Sequence, residues 1–408
     1  MRCRFCNNEL TIEFIDLVNS PPSNEFITKE QLNDTEIFYP LKLYLCDKCL
    51  LVQIDEYKKS IEIFHDNYMY YSSFSESWLK HAYDYVEMIT NKLNLNSNSY
   101  VIEIACNDGY LLQYFKKKNI PCLGIEPSKN TAKIAEAKGI MVLEEYFNEF
   151  LAQKLALQNL KADLLIGNNV LAHVPNINDF VKGLKTILKN EGVITMEFPH
   201  LLELIENNQF DTIYHEHYSY FSFLTVNKIF KLFDLEIFDV EQIDTHGGSL
   251  RIYVKNKEDF SKKISKNVEN LINLEISKGI KTIEYYKKLQ NKANKVKYDF
   301  LLFLINQKIA DKKVVAYGAA AKGNTLLNYC GIKNDLIKFV VDISPYKQGR
   351  FLPGSHIPIV KEEEIKKLKP DFIIILAWNI KSEIINQLKY VKEWNCKFII
   401  PIPKLEII

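Results

Sequence analysis

The sequence predicts an α/β protein built on a doubly wound parallel sheet, with a cysteine-bearing module before it and a second α/β unit after it. Three observations carry this. Strand-like and helix-like runs alternate from about residue 99 to 255, and repeated βαβ packs as a parallel sheet with helices on both faces. The alternation resumes near residue 313. Two C-x-x-C pairs, Cys3/Cys6 and Cys46/Cys49, precede both stretches.

The strand-like runs of the first stretch are "SYVIEIA" (99–105), "CLGIE" (122–126), "DLLIGNN" (163–169) and "GVITMEF" (192–198). Helix-like segments such as "SKNTAKIAEAKG" and "INDFVKGLKTILK" separate them. "LEIFDVEQI" and "SLRIYV" are joined only by "DTHGG", too short for a crossover helix, so these two strands should pair antiparallel. Residues 256 to about 312 are lysine-rich and helix-like. Then "KVVAYGAAAKGNTLL", "IKFVVDI", "PDFIIILAW" and "KFIIPI" read as parallel strands of a Rossmann-like unit. The expected division is 1–75, module and linker; 76–255, core; 256–312, helical connector; and 313–408, C-terminal domain.

The chain has 408 residues, Lys+Arg 52 against Asp+Glu 51, and a formal charge of +1. That length suits two or three domains, and the even charge does not favour nucleic acid as a partner. "MRCRFC" contains no apolar signal region and no run approaches membrane-spanning length, so cytoplasmic residence without a membrane partner is the expectation. In a reducing compartment paired C-x-x-C units are metal ligands more often than disulfides. Cys3, Cys6, Cys46 and Cys49 supply four sulfurs, which fill a tetrahedral zinc shell and leave no open position, so one structural zinc is expected.

The turn after the first core strand, "EIACNDGYLL", lacks the G-x-G-x-x-G that close approach to a pyrophosphate requires. It carries Glu103, Asn107, Asp108 and Gly109 instead. Acidic groups repel a pyrophosphate but suit a cofactor bearing an amino acid and a sulfonium cation. Glu126 closes the next strand, where a carboxylate can accept both hydroxyls of a ribose.

With these residues in view, the chain resembles the class I S-adenosylmethionine-dependent methyltransferases, whose seven-stranded sheet ends in an antiparallel hairpin. More narrowly, the four-cysteine module, "EIACNDGYLL", "GIEPS", "NNVLAHVPN", "YHEHYSYFS", "THGGSLR" and "YGAAAKGNTLLNY" resemble the sugar C-methyltransferases, which act on nucleotide-linked 4-keto-6-deoxy sugars. The motifs stand in the family's order over nearly the whole chain; Cys106 departs from a frequent serine. The resemblance implies that Glu103, Asn107, Asp108, Gly109 and Glu126 hold S-adenosylmethionine, and that Asn168, Asn169 and His173 line the methyl-transfer gap. For His173, packing at a helix start is the competing reading.

The same resemblance places substrate handling and proton abstraction on Tyr214, Glu216 and His217, with Tyr68 as a further active-site tyrosine or part of an aromatic packing patch. A sugar carbon becomes nucleophilic only after losing a proton, and a neighbouring ketone acidifies that proton by taking the charge as an enolate. A histidine suits the base role. His217 is therefore expected as the base and His215 as a packing residue facing the other way. In "YGAAAKGN", Gly318, Lys322 and Asn324 are expected at the substrate diphosphate, at a helix start. The double glycine of "THGGSLR" either makes only a hairpin turn or brings His246 and Arg251 to the substrate. Two alternatives remain at this point: O- or N-methylation of a nucleotide sugar or other small metabolite, and a zinc-ribbon nucleic-acid-binding protein on a methyltransferase-like scaffold. A monomer is expected.

Overall fold

The computed structural model describes residues 1–63 and 70–408, so Tyr68 lies outside the described residues. The N-terminal sheet is antiparallel: β1 (Ile12–Ser20) pairs with β2 (Tyr39–Leu45), and β2 with β3 (Val52–Ile54). Leu41, Leu43 and Leu45 alternate inward along β2, the period of a strand with one face on a core. That core is shared. It continues through Phe300 and Leu304 of the helix Lys288–Ile309 into Leu326 and Leu327 of the C-terminal unit.

The central sheet contains β4 (Val101–Ile104), β5 (Cys122–Ile125), β6 (Met141–Leu143), β7 (Ala162–Asn168) and β8 (Leu188–Pro199). A two-residue strand, β9 (Ser219–Tyr220), follows, then β10 (Leu235–Ile243) and β11 (Ser249–Asn256). The seven-stranded order is β10-β11-β8-β7-β4-β5-β6. From β8 to β6 all neighbours are parallel, whereas β11 runs antiparallel to both β8 and β10, as the short "DTHGG" connection required. The turn there holds His246 at φ 56° and Gly247 at φ 91°. Left-handed backbone of this kind is where glycine avoids a steric cost. All of β4 is buried, as a parallel strand covered on both faces must be. β6 went unread because its three residues are exposed or half-buried. β9 leaves this sheet and pairs with β3, so the core lends the N-terminal sheet its fourth strand.

The C-terminal unit has β12 (Val314–Tyr317), β13 (Val340–Val341), β14 (Ile359–Val360), β15 (Phe372–Ile375), β16 (Lys397–Ile400) and β17 (Glu406–Ile407). Its order is β14-β13-β12-β15-β16-β17, parallel except for the last strand. Two-residue strands such as β14 and β17 are too short to carry a periodicity. Among the described residues no helix is long and apolar enough to cross a membrane.

The connector is the helices Lys266–Lys278, Ile283–Tyr286 and Lys288–Ile309. Glu275, fully buried on the first, accepts from Phe223 N (2.6 Å), Leu224 N (2.8 Å) and His200 Nε2 (2.7 Å). Phe223 and Leu224 open the helix Phe223–Leu232, so the carboxylate satisfies two of its orphan donors at the positive end of its dipole. Glu275→Ala should destabilise the protein by about 3–5 kcal/mol, because buried donors lose their only charged acceptor. A lower urea midpoint measures this, and an unchanged midpoint would contradict it.

Candidate active site and metal centre

The carboxyl ends of the central strands open into a cleft of about 960 Å³, walled also by the 212–217 loop and by the C-terminal unit. On one side lies the turn after β4. It passes through Ala105 (φ 55°), Asn107 (φ 49°) and Gly109 (φ 73°), and only the last is a glycine. Asparagine tolerates this region, but alanine there costs on the order of 1 kcal/mol, strain of the kind stored at functional turns. The Glu126 carboxylate, just past β5, accepts from Asn107 N (2.9 Å) and Ser128 N (3.0 Å) and borders the cleft. Burial pushes its pKa up, while these N–H groups oppose the rise.

Asn107 lines the cleft but spends its side chain on the 70–72 backbone, accepting from Ser72 N (2.9 Å) and donating to Tyr70 O (3.1 Å). Asp108 does the same for Ser73 N (3.1 Å) from behind the cleft wall. Gly109 and Glu103 also stand behind the wall. Gly109 gives the turn its shape, and a Cβ there would run into Ile140. Glu103 is buried in β4, and burial pushes its carboxyl well up.

Asn168 and Asn169 reach the cleft from the end of β7. Asn169, itself left-handed (φ 55°), meets His246 Nε2 at 3.1 Å. Sequence reasoning missed the next group. Trp78 stacks on His81 (4.9 Å, 18°) and Tyr110 (5.9 Å, 26°), and all three line the cleft. His81 Nε2 meets Glu197 Oε2 at 2.9 Å, and Glu197 Oε1 takes Arg251 Nε at 2.7 Å. Arg251 is thus not in the cleft: Glu197 and Glu241 hold it behind His81. Burial pushes Glu197 up, but His81 and Arg251 outweigh it and keep the carboxylate below its usual range.

The opposite wall is the "YHEH" run. His217 Nδ1 lies 3.0 Å from Thr212 O. A carbonyl can only accept, so Nδ1 carries the hydrogen and Nε2 is the basic atom. Its ring lies 4.0 Å from that of Tyr214 and 4.7 Å from that of His173. Burial pulls the His217 pKa well below the usual value, and His173 adds to the fall. His173 donates through Nδ1 to Glu216 O (2.8 Å), and burial lowers it to about 4. The Glu216 carboxylate accepts from Asn24 Nδ2 at 2.6 Å, another residue sequence reasoning missed. His215 points away, donating to Pro40 O (3.2 Å) between the rings of Tyr39 and Tyr57.

The third wall is the start of the helix Ala321–Cys330, where Ala320, Ala321 and Lys322 border the cleft. Lys322 Nζ lies over the Trp378 ring (4.9 Å). Burial lowers its pKa to about 8 against the attraction of Asp211. Gly318 (φ 97°) instead donates its N–H to Val341 O at 2.8 Å. Asn324 is buried and donates to Ser23 O at 3.0 Å, so its side chain ties two units together outside the cleft.

Away from the cleft, the sulfurs of Cys3, Cys6, Cys46 and Cys49 lie within 4.8 Å of one another. Cys3–Cys49 and Cys6–Cys46 are each 3.5 Å apart, near the roughly 3.8 Å edge of a tetrahedron with bonds of about 2.3 Å. Gln53 Nε2 donates to Cys3 Sγ at 3.2 Å, the support a thiolate ligand needs. The donor set fits zinc.

Three family models match in turn: a zinc binding domain over residues 3–64, a methyltransferase domain over 78–240 and a C-methyltransferase C-terminal domain over 244–403. C-methyltransferase NovU of Streptomyces niveus is 30% identical over 407 residues, covering 100% of this chain and 96% of NovU. The chain belongs to the S-adenosylmethionine-dependent C-methyltransferase family. The core also matches solved structures at low identity. An S-adenosylmethionine-dependent methyltransferase from Clostridium acetobutylicum is 16% identical, over 44% of this chain and 92% of its own, with a TM-score of 0.36. Magnesium protoporphyrin IX methyltransferase from Synechocystis PCC 6803 is 16% identical, over 43% and 82%, with a TM-score of 0.35. This C-methyltransferase uses S-adenosylmethionine and carries a zinc site in its N-terminal module.

Elemental analysis of the C-methyltransferase should give about one zinc per chain, and Cys46→Ser should lose it. Full retention by that variant would put the metal elsewhere. Glu126→Ala should weaken S-adenosylmethionine binding by about 2–3 kcal/mol in calorimetry, the scale of a hydrogen bond to a charged group. Unchanged binding would show that the carboxylate serves only the turn.

Proposed function

We propose that the chain methylates the carbon next to the ketone, C3, of a nucleotide-linked 4-keto-6-deoxy sugar. The observation that carries this reading is the His217 imidazole, its basic Nε2 fixed by the Thr212 carbonyl, on a cleft that Glu126 borders on one side and the helix Ala321–Cys330 on the other. S-adenosylmethionine supplies the electrophilic methyl, and Asn107, Glu126, Asn168 and Asn169, which border the cleft, would hold it. His217 removes the proton next to the ketone. Tyr214 packs against its ring at a 34° tilt, and Glu216, held by Asn24, faces substrate. The first backbone amides of the helix Ala321–Cys330 take the diphosphate.

Wild-type enzyme given the 4-keto sugar nucleotide and S-adenosylhomocysteine in deuterated water should exchange the C3 proton, read by NMR. His217→Asn should not, while still binding cofactor and nucleotide. Exchange by the mutant at the wild-type rate would move the base to another residue.

The lowered pKa of His217 also sets a pH dependence. As pH falls through 6.5, an ordinary histidine would gain a proton and stop acting as a base. A depressed one stays neutral, so kcat should hold through pH 6.5 and decline only below it. A decline already under way above pH 6.5 would argue against His217.

A further inference from the structure

Lys322 is placed differently from a diphosphate ligand. The ammonium turns back over the Trp378 ring, where its recorded partners are His246 O and Asn379 Oδ1, both at 3.3 Å. Those are long bonds to neutral acceptors, whereas a charge-assisted pair closes to about 2.8 Å. The carboxylate that attracts it belongs to Asp211, which is fully buried, has its pKa pushed up to about 6 by that burial, and accepts from Trp378 Nε1 at 2.6 Å.

Asp211 and Thr212 are consecutive, and the Thr212 carbonyl orients the base. The next carbonyl, of Ile213, accepts from Thr325 Oγ1 at 2.8 Å, one turn beyond Lys322 on the same helix. Three adjacent residues therefore hold the base, the counter-charge of the ammonium and the helix that carries it. On its other side Lys322 leads through His246 to the Asn169 amide at the end of β7. The ammonium thus lines the same cleft as the base and that strand end, and its hydrogen bonds there go only to neutral acceptors.

We propose that Lys322 is a catalytic residue that donates to the substrate ketone oxygen while His217 removes the neighbouring proton, and that Asp211 is its positioning residue. The C–H bond breaks, and its proton passes to His217 Nε2. Its electron pair forms the carbon–carbon double bond, and the carbonyl pair moves onto oxygen, where the ammonium meets it. An ammonium in a wall shielded from water stabilises such an oxyanion far more than one in bulk solvent. The inference rests on the keto-sugar reading above.

The test uses full-length enzyme with S-adenosylhomocysteine, the 4-keto sugar nucleotide and deuterated water, alongside calorimetric titration of a nucleoside diphosphate. Lys322→Gln should slow exchange at saturating substrate by about 100-fold, the usual loss when one oxyanion donor is removed. Its affinity for the nucleoside diphosphate should stay within about twofold, too small a loss for a missing charge-assisted bond. Asp211→Asn, which keeps an acceptor for Trp378, should lower kcat and leave KM unchanged.

Tenfold weaker nucleotide binding with undiminished exchange in Lys322→Gln would overturn the proposal and return Lys322 to the diphosphate. A rise in KM alone for Asp211→Asn would overturn its positioning role. Absence of exchange in wild type would sink the keto-sugar reading itself, and with it the ketone that Lys322 is proposed to meet. Exchange in wild type that Lys322→Gln leaves untouched would sink the Lys322 assignment alone.

Discussion

Residues Asp211 to Tyr218 hold little regular structure beyond the end of one short 3-10 turn, and hydrogen bonds tie them to the N-terminal module, the central domain and the C-terminal unit. Trp378 and Thr325 reach them from the C-terminal unit, at Asp211 and at the Ile213 carbonyl. The Pro40 carbonyl and Asn24 reach His215 and Glu216 from the N-terminal module. The Ala172 carbonyl takes Tyr218 N at 2.8 Å from the central domain. An irregular buried segment must find partners for its polar groups outside itself, and here they come from three folding units. The segment that orients the base through the Thr212 carbonyl is thus anchored in all three.

That dependence gives the zinc site a structural reach beyond its own module. Cys46 and Cys49 bracket the turn between β2 and β3, so a metal holding both fixes where β3 begins. β3 pairs with β9 through Val52↔Tyr220, and β9 begins two residues after His217. The Cys49 carbonyl also accepts from Thr225 Oγ1 at 3.3 Å, fastening the same knuckle to the helix that follows β9. A four-sulfur site with no open position does no chemistry of its own, but its rigidity passes through one strand pair to the wall that carries the imidazole.

What the sequence disclosed follows from how far each signal acts along the chain. Strands β4, β5, β7 and β8 were legible because a parallel strand must be apolar throughout, and the β10–β11 pairing because five residues cannot make a crossover. The opposite facing of His215 and His217 was expected from giving the base role to His217, not from their spacing, since residues two apart in an extended run share a face. The partners were not legible. Asn24 lies 192 residues from Glu216, and Trp378 167 residues from Asp211, so no local pattern links them. Motif membership also failed to separate residues that border the cleft from those that shape it. Asp108, Gly109, Arg251 and Asn324 all sit in recognisable motifs, yet each supports a neighbour or a turn instead of facing the cleft. One faint signal was available: two of the chain's three tryptophans, Trp78 and Trp378, stand at this site.

The charges around the cleft are arranged so that the base stays neutral. Glu197 and Arg251 are paired behind His81 on one side, and Asp211 faces Lys322 on the other. Between them His173 and His217 lie 4.7 Å apart, with burial holding both below their usual pKa. A charge in such a place is tolerated only with a partner, and the described neighbours of His217 offer its ring a carbonyl and aromatic faces but no carboxylate. A carboxylate paired with His217 would have favoured the imidazolium and raised the pH at which the base is protonated. A proton taken from substrate therefore lands on a site that holds it weakly. Return of the imidazole to its neutral form is downhill, and the arrangement suits a base that must reset after every turnover.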